Sequence, residues 1–154
     1  MHPSSRASPA LVVLARVLSV LWPGVLLPNH VDATRLSRDP EVVRAYRQDP
    51  LVSHRVSPRW FTSAMLAIGQ AHERAPSLAL PALLMVSGAD RLVDPDASLR
   101  FAAHAPKDKL ELVLWKGLSH EMFNEPERET VFAKMEAWLE ERIARAGRPS
   151  ASRL

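Results

Sequence analysis

Residues 80–95 read LPALLMVSGADRLVDP, and this stretch decides the fold. Residues 80–86 form a short, continuous apolar run that ends at Ser87-Gly88, the pattern of a strand buried on both faces, as in a parallel sheet. Asp94-Pro95-Asp96 then starts a helix that reaches about His104. It has a capping side chain, a proline at the first helical position and an acid in the first turn. Residues 109–115 (KLELVLW) predict a second strand, and Gly117 turns the chain. Pro126-Glu127 opens a final amphipathic helix with Val131, Phe132, Met135, Trp138, Leu139 and Ile143 facing in. Strand, helix, strand, helix at these lengths is a βαβα unit with a parallel pair and, by the usual handedness, a right-handed crossover.

Upstream of this unit the pattern is helical. Residues 9–27 (PALVVLARVLSVLWPGVLL) are the most apolar stretch. A membrane span there is weakened by Arg16 and by Pro23-Gly24. A signal peptide would have Arg6 in its basic region but lacks a small-x-small cleavage site before Pro28. The plainest reading is an amphipathic or buried helix over about 9–22, with Leu11, Leu14, Leu18, Leu21 and Trp22 near one face. Asp39-Pro40-Glu41 starts a short helix that Asp49-Pro50 ends near Gln48, because a residue before proline resists the helical region. Ser57-Pro58 repeats the start signal. Trp60, Phe61, Ala64, Met65, Ile68 and Ala71 then recur at helical spacing to about Arg74, either as simple packing or as the lining of an apolar ligand cavity. No strand is expected in the first 75 residues. Two strands alone leave unpaired edges, so the pattern reads as the end of a larger α/β protein. The expected organisation is a loose N-terminus (1–8), a helical segment (9–78), the βαβα part (79–145) and a polar tail (146–154).

Composition narrows the chemistry. The 154 residues suit one domain, and 47% hydrophobic with 24% charged residues is ordinary for a globular chain. With no cysteine there is no disulfide scaffold, thiolate metal site or cysteine nucleophile. The five glycines stand at 24, 69, 88, 117 and 147, a spacing that allows no G-x-G-x-x-G, no phosphate-cradling loop and no G-x-S-x-G. A net charge of +3 comes from scattered arginines interleaved with acids, with no basic run, which argues against nucleic acid as partner. His30, His54, His72 and His104 show no ligand spacing. His120-Glu121 lacks the second histidine of a zinc-binding H-E-x-x-H helix, so neither metal nor cofactor is expected.

In open parallel sheets reacting groups gather at the carboxyl ends of the strands. Asp90 lies two residues beyond the first strand's end at Gly88, and His120 a few residues beyond the second. A carboxylate and an imidazole at one sheet edge can act as orienter and base of a hydrolase triad. Asp94 is explained as a helix cap and Asp96 as a first-turn acid, whereas Asp90 has no such structural role in the sequence. His120 read alone is also compatible with a surface or packed histidine.

The segments LSRDPEVVRAYRQDPLV (36–52), PALLMVSGADRLVDP (81–95) and GLSHEMFNEPER (117–128) together resemble the C-terminal half of the monoacylglycerol lipase/lysophospholipase family, a serine-aminopeptidase-like branch of the α/β-hydrolases. The resemblance spans roughly residues 10–143. It implies an α/β fold whose sheet is incomplete in this chain, and it makes residues of about 10–75 a helical cap. Asp90 then corresponds to the triad acid and His120 to the triad base, and Trp60, Phe61 and Met65 contribute to an apolar acyl-chain site. The implied activity is carboxylic ester hydrolysis on an acylglycerol or lysophospholipid-like substrate, cytoplasmic or membrane-peripheral, with no cofactor. The family's serine and oxyanion-hole loop lie N-terminal to the cap and are absent here, so a partial hydrolase is expected. Two alternatives are a non-catalytic remnant that binds lipid or a protein partner through the cap, and a small secreted or membrane-attached protein anchored by residues 9–27. Oligomeric state is left open.

Overall fold

The computed structural model of the protein describes residues 8–146; the expected loose N-terminus and tail fall outside these, apart from Ser8 and Ala146. In chain order the elements are α1 (Pro9–Leu21), β1 (Leu27–Pro28), α2 (Pro40–Gln48), β2 (Arg55–Val56), α3 (Pro58–Arg74), β3 (Ala82–Ser87), α4 (Pro95–His104), β4 (Leu110–Trp115) and α5 (Arg128–Ala146). Short 3₁₀ turns occupy Ala33–Arg35, Ala75–Ser77 and Met122–Asn124.

The first four helices start in the same way. Ser8, Asp39, Ser57 and Asp94 each hold extended backbone, and each side-chain oxygen accepts from a backbone N–H of the first turn. A proline follows each as the first helical residue, where its missing N–H costs nothing. The starts expected at Asp39-Pro40, Ser57-Pro58 and Asp94-Pro95 therefore stand where the sequence put them.

β3 and β4 pair in parallel, in register from Ala82 against Leu110 to Ser87 against Trp115. The core lies at the carboxyl end of this pair, where Leu118, Met122 and Val131 are buried and Met85 and Trp115 pack against them. Gly88 is required at the end of β3. A Cβ there would stand 2.9 Å from the Lys116 Cα, so only glycine lets the two strand ends come this close.

The structure corrects the sequence reading in four places. The first 75 residues do contain strand: β1 and β2 form a two-residue antiparallel bridge, Leu27 against Val56 and Pro28 against Arg55. So short a bridge has no alternation to detect. Second, α1 packs along α3, and the Arg59 guanidinium donates to the Ser19 carbonyl at 3.2 Å. Even so, no residue of α1 is buried, and Leu11, Leu14, Leu21 and Trp22 are exposed, because one neighbouring helix covers one side only. Third, in the α3 stripe Phe61 and Ala64 are half-buried while Ile68 and Ala71 are exposed alongside Trp60 and Met65. The stripe is thus only partly covered. Fourth, α5 begins at Arg128, not at Pro126-Glu127, and of its expected inner face Leu139 and Ile143 are exposed. A helix of 19 residues is about 28 Å long and outruns strands of six residues, which span about 20 Å.

No helix among the described residues is long and apolar enough to cross a membrane. α1 has 13 residues, or about 20 Å, against a hydrocarbon core of about 30 Å.

Candidate active site

Two loops leave the carboxyl ends of β3 and β4 and meet. The Gly88 N–H donates to the Trp115 carbonyl at 2.8 Å, continuing the ladder, and the Ala89 N–H donates to the Leu118 carbonyl at 3.1 Å. The residue before Asp90 is thus tied to the residue two before His120. Asp90 Oδ2 lies 2.7 Å from His120 Nδ1. The aspartate side chain is 10% exposed and the imidazole 35%, so the acid is largely shielded and the base is open on one side.

The other oxygen of Asp90 is also occupied. Oδ1 accepts from the Leu92 N–H at 2.7 Å and the Val93 N–H at 3.0 Å. The sequence reading gave Asp90 no structural role, and the structure corrects this: the carboxylate organises its own loop through one oxygen and holds the histidine with the other. A carboxylate oxygen only accepts, so the shared proton sits on Nδ1 and Nε2 is left free to take another. Asp94 behaves as expected, accepting from the Asp96 N–H at 3.0 Å as the cap of α4, with Arg100 at 3.4 Å on its second oxygen.

Thr34, Arg35 and Arg38, read from sequence only as loop, face the residues that flank Asp90 and His120 across a cavity that neither of those two lines. The cavity, of about 200 Å³, is lined by Thr34, Arg35, Arg38, Ala89, Arg91, Gly117 and Ser119. Arg35 Nη1 donates to the Arg91 carbonyl at 3.4 Å across it. Trp60, Phe61 and Met65 do not line this cavity. They sit on α3, with Trp60 62% and Met65 48% exposed and Phe61 half-buried.

The sequence reading also missed Glu125, which is fully buried, at 0% exposure. Its Oε1 accepts from the Arg38 backbone N–H at 2.7 Å, and its Oε2 accepts from the Arg38 guanidinium, whose other arm reaches Glu127. Burial alone would raise the Glu125 carboxyl, but the Arg38 side-chain and backbone donors outweigh it and hold it below its ordinary value. The same pair raises the Arg38 guanidinium above its ordinary value. No short-range signal announces this contact, since the partners are 87 residues apart.

A parallel pair with a hydrogen-bonded acid and imidazole at its carboxyl edge defines a class, the C-terminal portion of an α/β-hydrolase fold. The comparisons agree. The family model described as serine aminopeptidase, S33, matches residues 1–127, and the chain belongs to that family. It is similar to a monoacylglycerol lipase of Mycolicibacterium smegmatis, 38% identical over 133 residues, 86% of this chain and 47% of that protein. It is also similar to phospholipase YtpA of Bacillus subtilis, 30% identical over 139 residues, 90% of this chain and 54% of that protein. Among solved structures, the monoacylglycerol lipase of Paleococcus ferrophilus superposes with a TM-score of 0.82 at 33% identity, covering 88% of this chain and 53% of that one. The chain spans about half the length of the relatives it matches.

Proposed function

We propose that this chain supplies the acid and base of a serine esterase of lipase type, acting on a carboxylic ester of the acylglycerol or lysophospholipid kind. In this reading residues 79–145 are the end of the catalytic core and residues 9–78 are a helical cap. The observation that carries it is the 2.7 Å bond between Asp90 and His120 at the carboxyl ends of two adjacent parallel strands. His120 Nε2 takes the proton of the attacking serine hydroxyl as the oxygen bonds the ester carbonyl carbon, then gives it to the departing alkoxide. In the second half it takes a proton from water, which attacks the acyl-serine, and returns it to the serine. Asp90 keeps the imidazole in the productive tautomer and stabilises its cation. The serine comes from sequence other than these 154 residues, in which no serine stands in G-x-S-x-G. Trp60, Phe61 and Met65 offer apolar surface for the acyl chain, the exposed apolar faces of α1 and α3 suit contact with a lipid surface, and the location that goes with this reading is cytoplasmic or membrane-peripheral.

The test fuses the N-terminal half of the M. smegmatis monoacylglycerol lipase to this chain and follows monoacylglycerol hydrolysis. The fusion should turn over, and His120→Ala should lower its rate on the order of 10⁴-fold. The 154-residue chain alone should take no fluorophosphonate label. A fusion equally active with His120→Ala, or labelling of the isolated chain at one serine, would overturn the proposal.

A further inference from the structure

The stretch that follows His120 is fastened to the stretch that leads into α2, residue by residue. The Glu121 N–H donates to the Leu36 carbonyl at 2.8 Å. Ser37 Oγ donates to the Asn124 carbonyl at 2.8 Å. The Arg38 N–H donates to Glu125 Oε1 at 2.7 Å, and the Arg38 guanidinium closes on the other oxygen. Three consecutive residues, 36 to 38, thus each bond the segment 121–125. Ser37 Oγ also accepts from the Asp39 N–H at 3.0 Å, so the clasp runs directly into the N-cap of α2.

His120 lies between two anchors. The Leu118 carbonyl, two residues before it, is held by Ala89, and the Glu121 N–H, one residue after it, is held by Leu36. The first anchor joins the two loops just beyond the ends of β3 and β4. The second belongs to the clasp and has no sheet behind it. What fixes the clasp is the buried carboxylate of Glu125, because a fully buried charge tolerates few geometries and loosens its surroundings when its partner is lost.

We propose that Glu125 and Arg38 form a positioning pair for His120, locking the loop that carries the base onto the segment that opens α2. This rests on His120 being the base bonded to Asp90, as proposed above. Neither Glu125 nor Arg38 touches the reacting atoms. Their part is to hold the imidazole at hydrogen-bonding distance from Asp90 and to make the base follow any displacement of α2.

The test uses the 154-residue chain with ¹⁵N-labelled histidine. The readout is the far-downfield Nδ1–H resonance of His120, assigned by its disappearance in Asp90→Asn, together with its rate of exchange with water. Backbone amide protection in β3 and β4 reports the sheet separately. Glu125→Gln should speed exchange of the imidazole proton on the order of tenfold or more while the sheet amides stay protected. Arg38→Lys keeps a cation against Glu125 and should retain part of the wild-type protection. If Glu125→Gln costs the sheet its protection, the paired variant Arg38→Gln/Glu125→Gln, which leaves no buried charge unmatched and frees only the half-exposed Glu127, is read in its place. Wild-type exchange in the folded variant would overturn the positioning role and leave the acid–base pair standing. A wild-type chain with no Asp90-dependent resonance would overturn the pair itself and the positioning role with it.

Discussion

Two apolar stretches of this chain meet different fates. Residues 80–86 become most of β3, which pairs in parallel with β4 and ends in buried Val86 and Ser87. Residues 9–27 are longer and also mostly apolar, yet their helix, Pro9–Leu21, has no buried residue and ends at Leu21, which is 77% exposed. Hydrophobicity alone does not decide burial. Neighbours do, and β3 has β4 along its edge and α4 against it where α1 has α3 alone. The Asp90–His120 hydrogen bond stands on the half that has its partners, because holding a carboxylate 2.7 Å from an imidazole needs a rigid support.

The largest effect separates the two halves by chemistry. In the fusion enzyme Asp90→Asn should lower kcat on the order of 10⁴-fold, since asparagine keeps the shape but favours the wrong imidazole tautomer. Trp60→Ala on α3 should raise KM and leave kcat nearly unchanged, as expected for uniform binding of an acyl chain. Steady-state kinetics on both variants checks the division. A kcat loss for Trp60→Ala as large as that for Asp90→Asn would break it.

Stability should divide in the same way. Leu118 is buried in the small core, so Leu118→Ala should cost about 2–5 kcal/mol. Leu21→Ala on α1 removes side-chain surface already in water and should stay within about 0.5 kcal/mol. Urea unfolding followed by circular dichroism compares them, and equal losses would mean that α1 is covered in solution. Gly88→Ala falls between the two. Its Cβ would lie 2.9 Å from a backbone atom that cannot swing away, for a cost of about 1–3 kcal/mol and a displaced Ala89–Leu118 bond.

A smaller effect tests the clasp between the halves. Glu125 is held below its ordinary value in the folded chain, so it binds protons less readily there than in the unfolded chain. Its stabilising contribution is therefore complete above the unfolded value near 4.5 and is lost as pH falls through the lower, folded value. Unfolding midpoints measured from pH 7 down to pH 3 should fall less steeply for Glu125→Gln than for wild type. Parallel curves would show that the carboxylate is not held this way.

How much of this was legible follows from the range of each interaction. Helix starts at Asp39, Ser57 and Asp94 were readable because the cap, the proline and the first turn lie within four residues. The meeting of Asp90 and His120 was readable because each follows a strand end by a few residues and parallel strands bring such ends together. The clasp was not. Arg38 and Glu125 look like two ordinary surface charges until a fold brings residues 87 apart into contact. The β1–β2 bridge failed for want of length, and the start of α5 was placed two residues early, because Pro126 and Glu127 resemble a helix start but form a turn next to the anchored Glu125.

The smallest effect is the sharpest check on the choice of acid, because Asp90 and Asp94 are alike in local chemistry. Each accepts on Oδ1 from a backbone N–H two residues on, Asp90 from Leu92 at 2.7 Å and Asp94 from Asp96 at 3.0 Å. They differ in the second oxygen. That of Asp90 meets His120 at 2.7 Å, whereas that of Asp94 meets the exposed guanidinium of Arg100 at 3.4 Å. Asparagine can supply Oδ1 at either place, so the cap of α4 survives Asp94→Asn and only a surface ion pair is lost, worth about 0–1 kcal/mol. Asp94→Asn in the fusion should therefore leave ester hydrolysis within about twofold of wild type and barely move the unfolding midpoint. A loss comparable with that of Asp90→Asn would place the acid at residue 94, and would mean that the carboxylate capping α4, not the one behind β3, orients the imidazole.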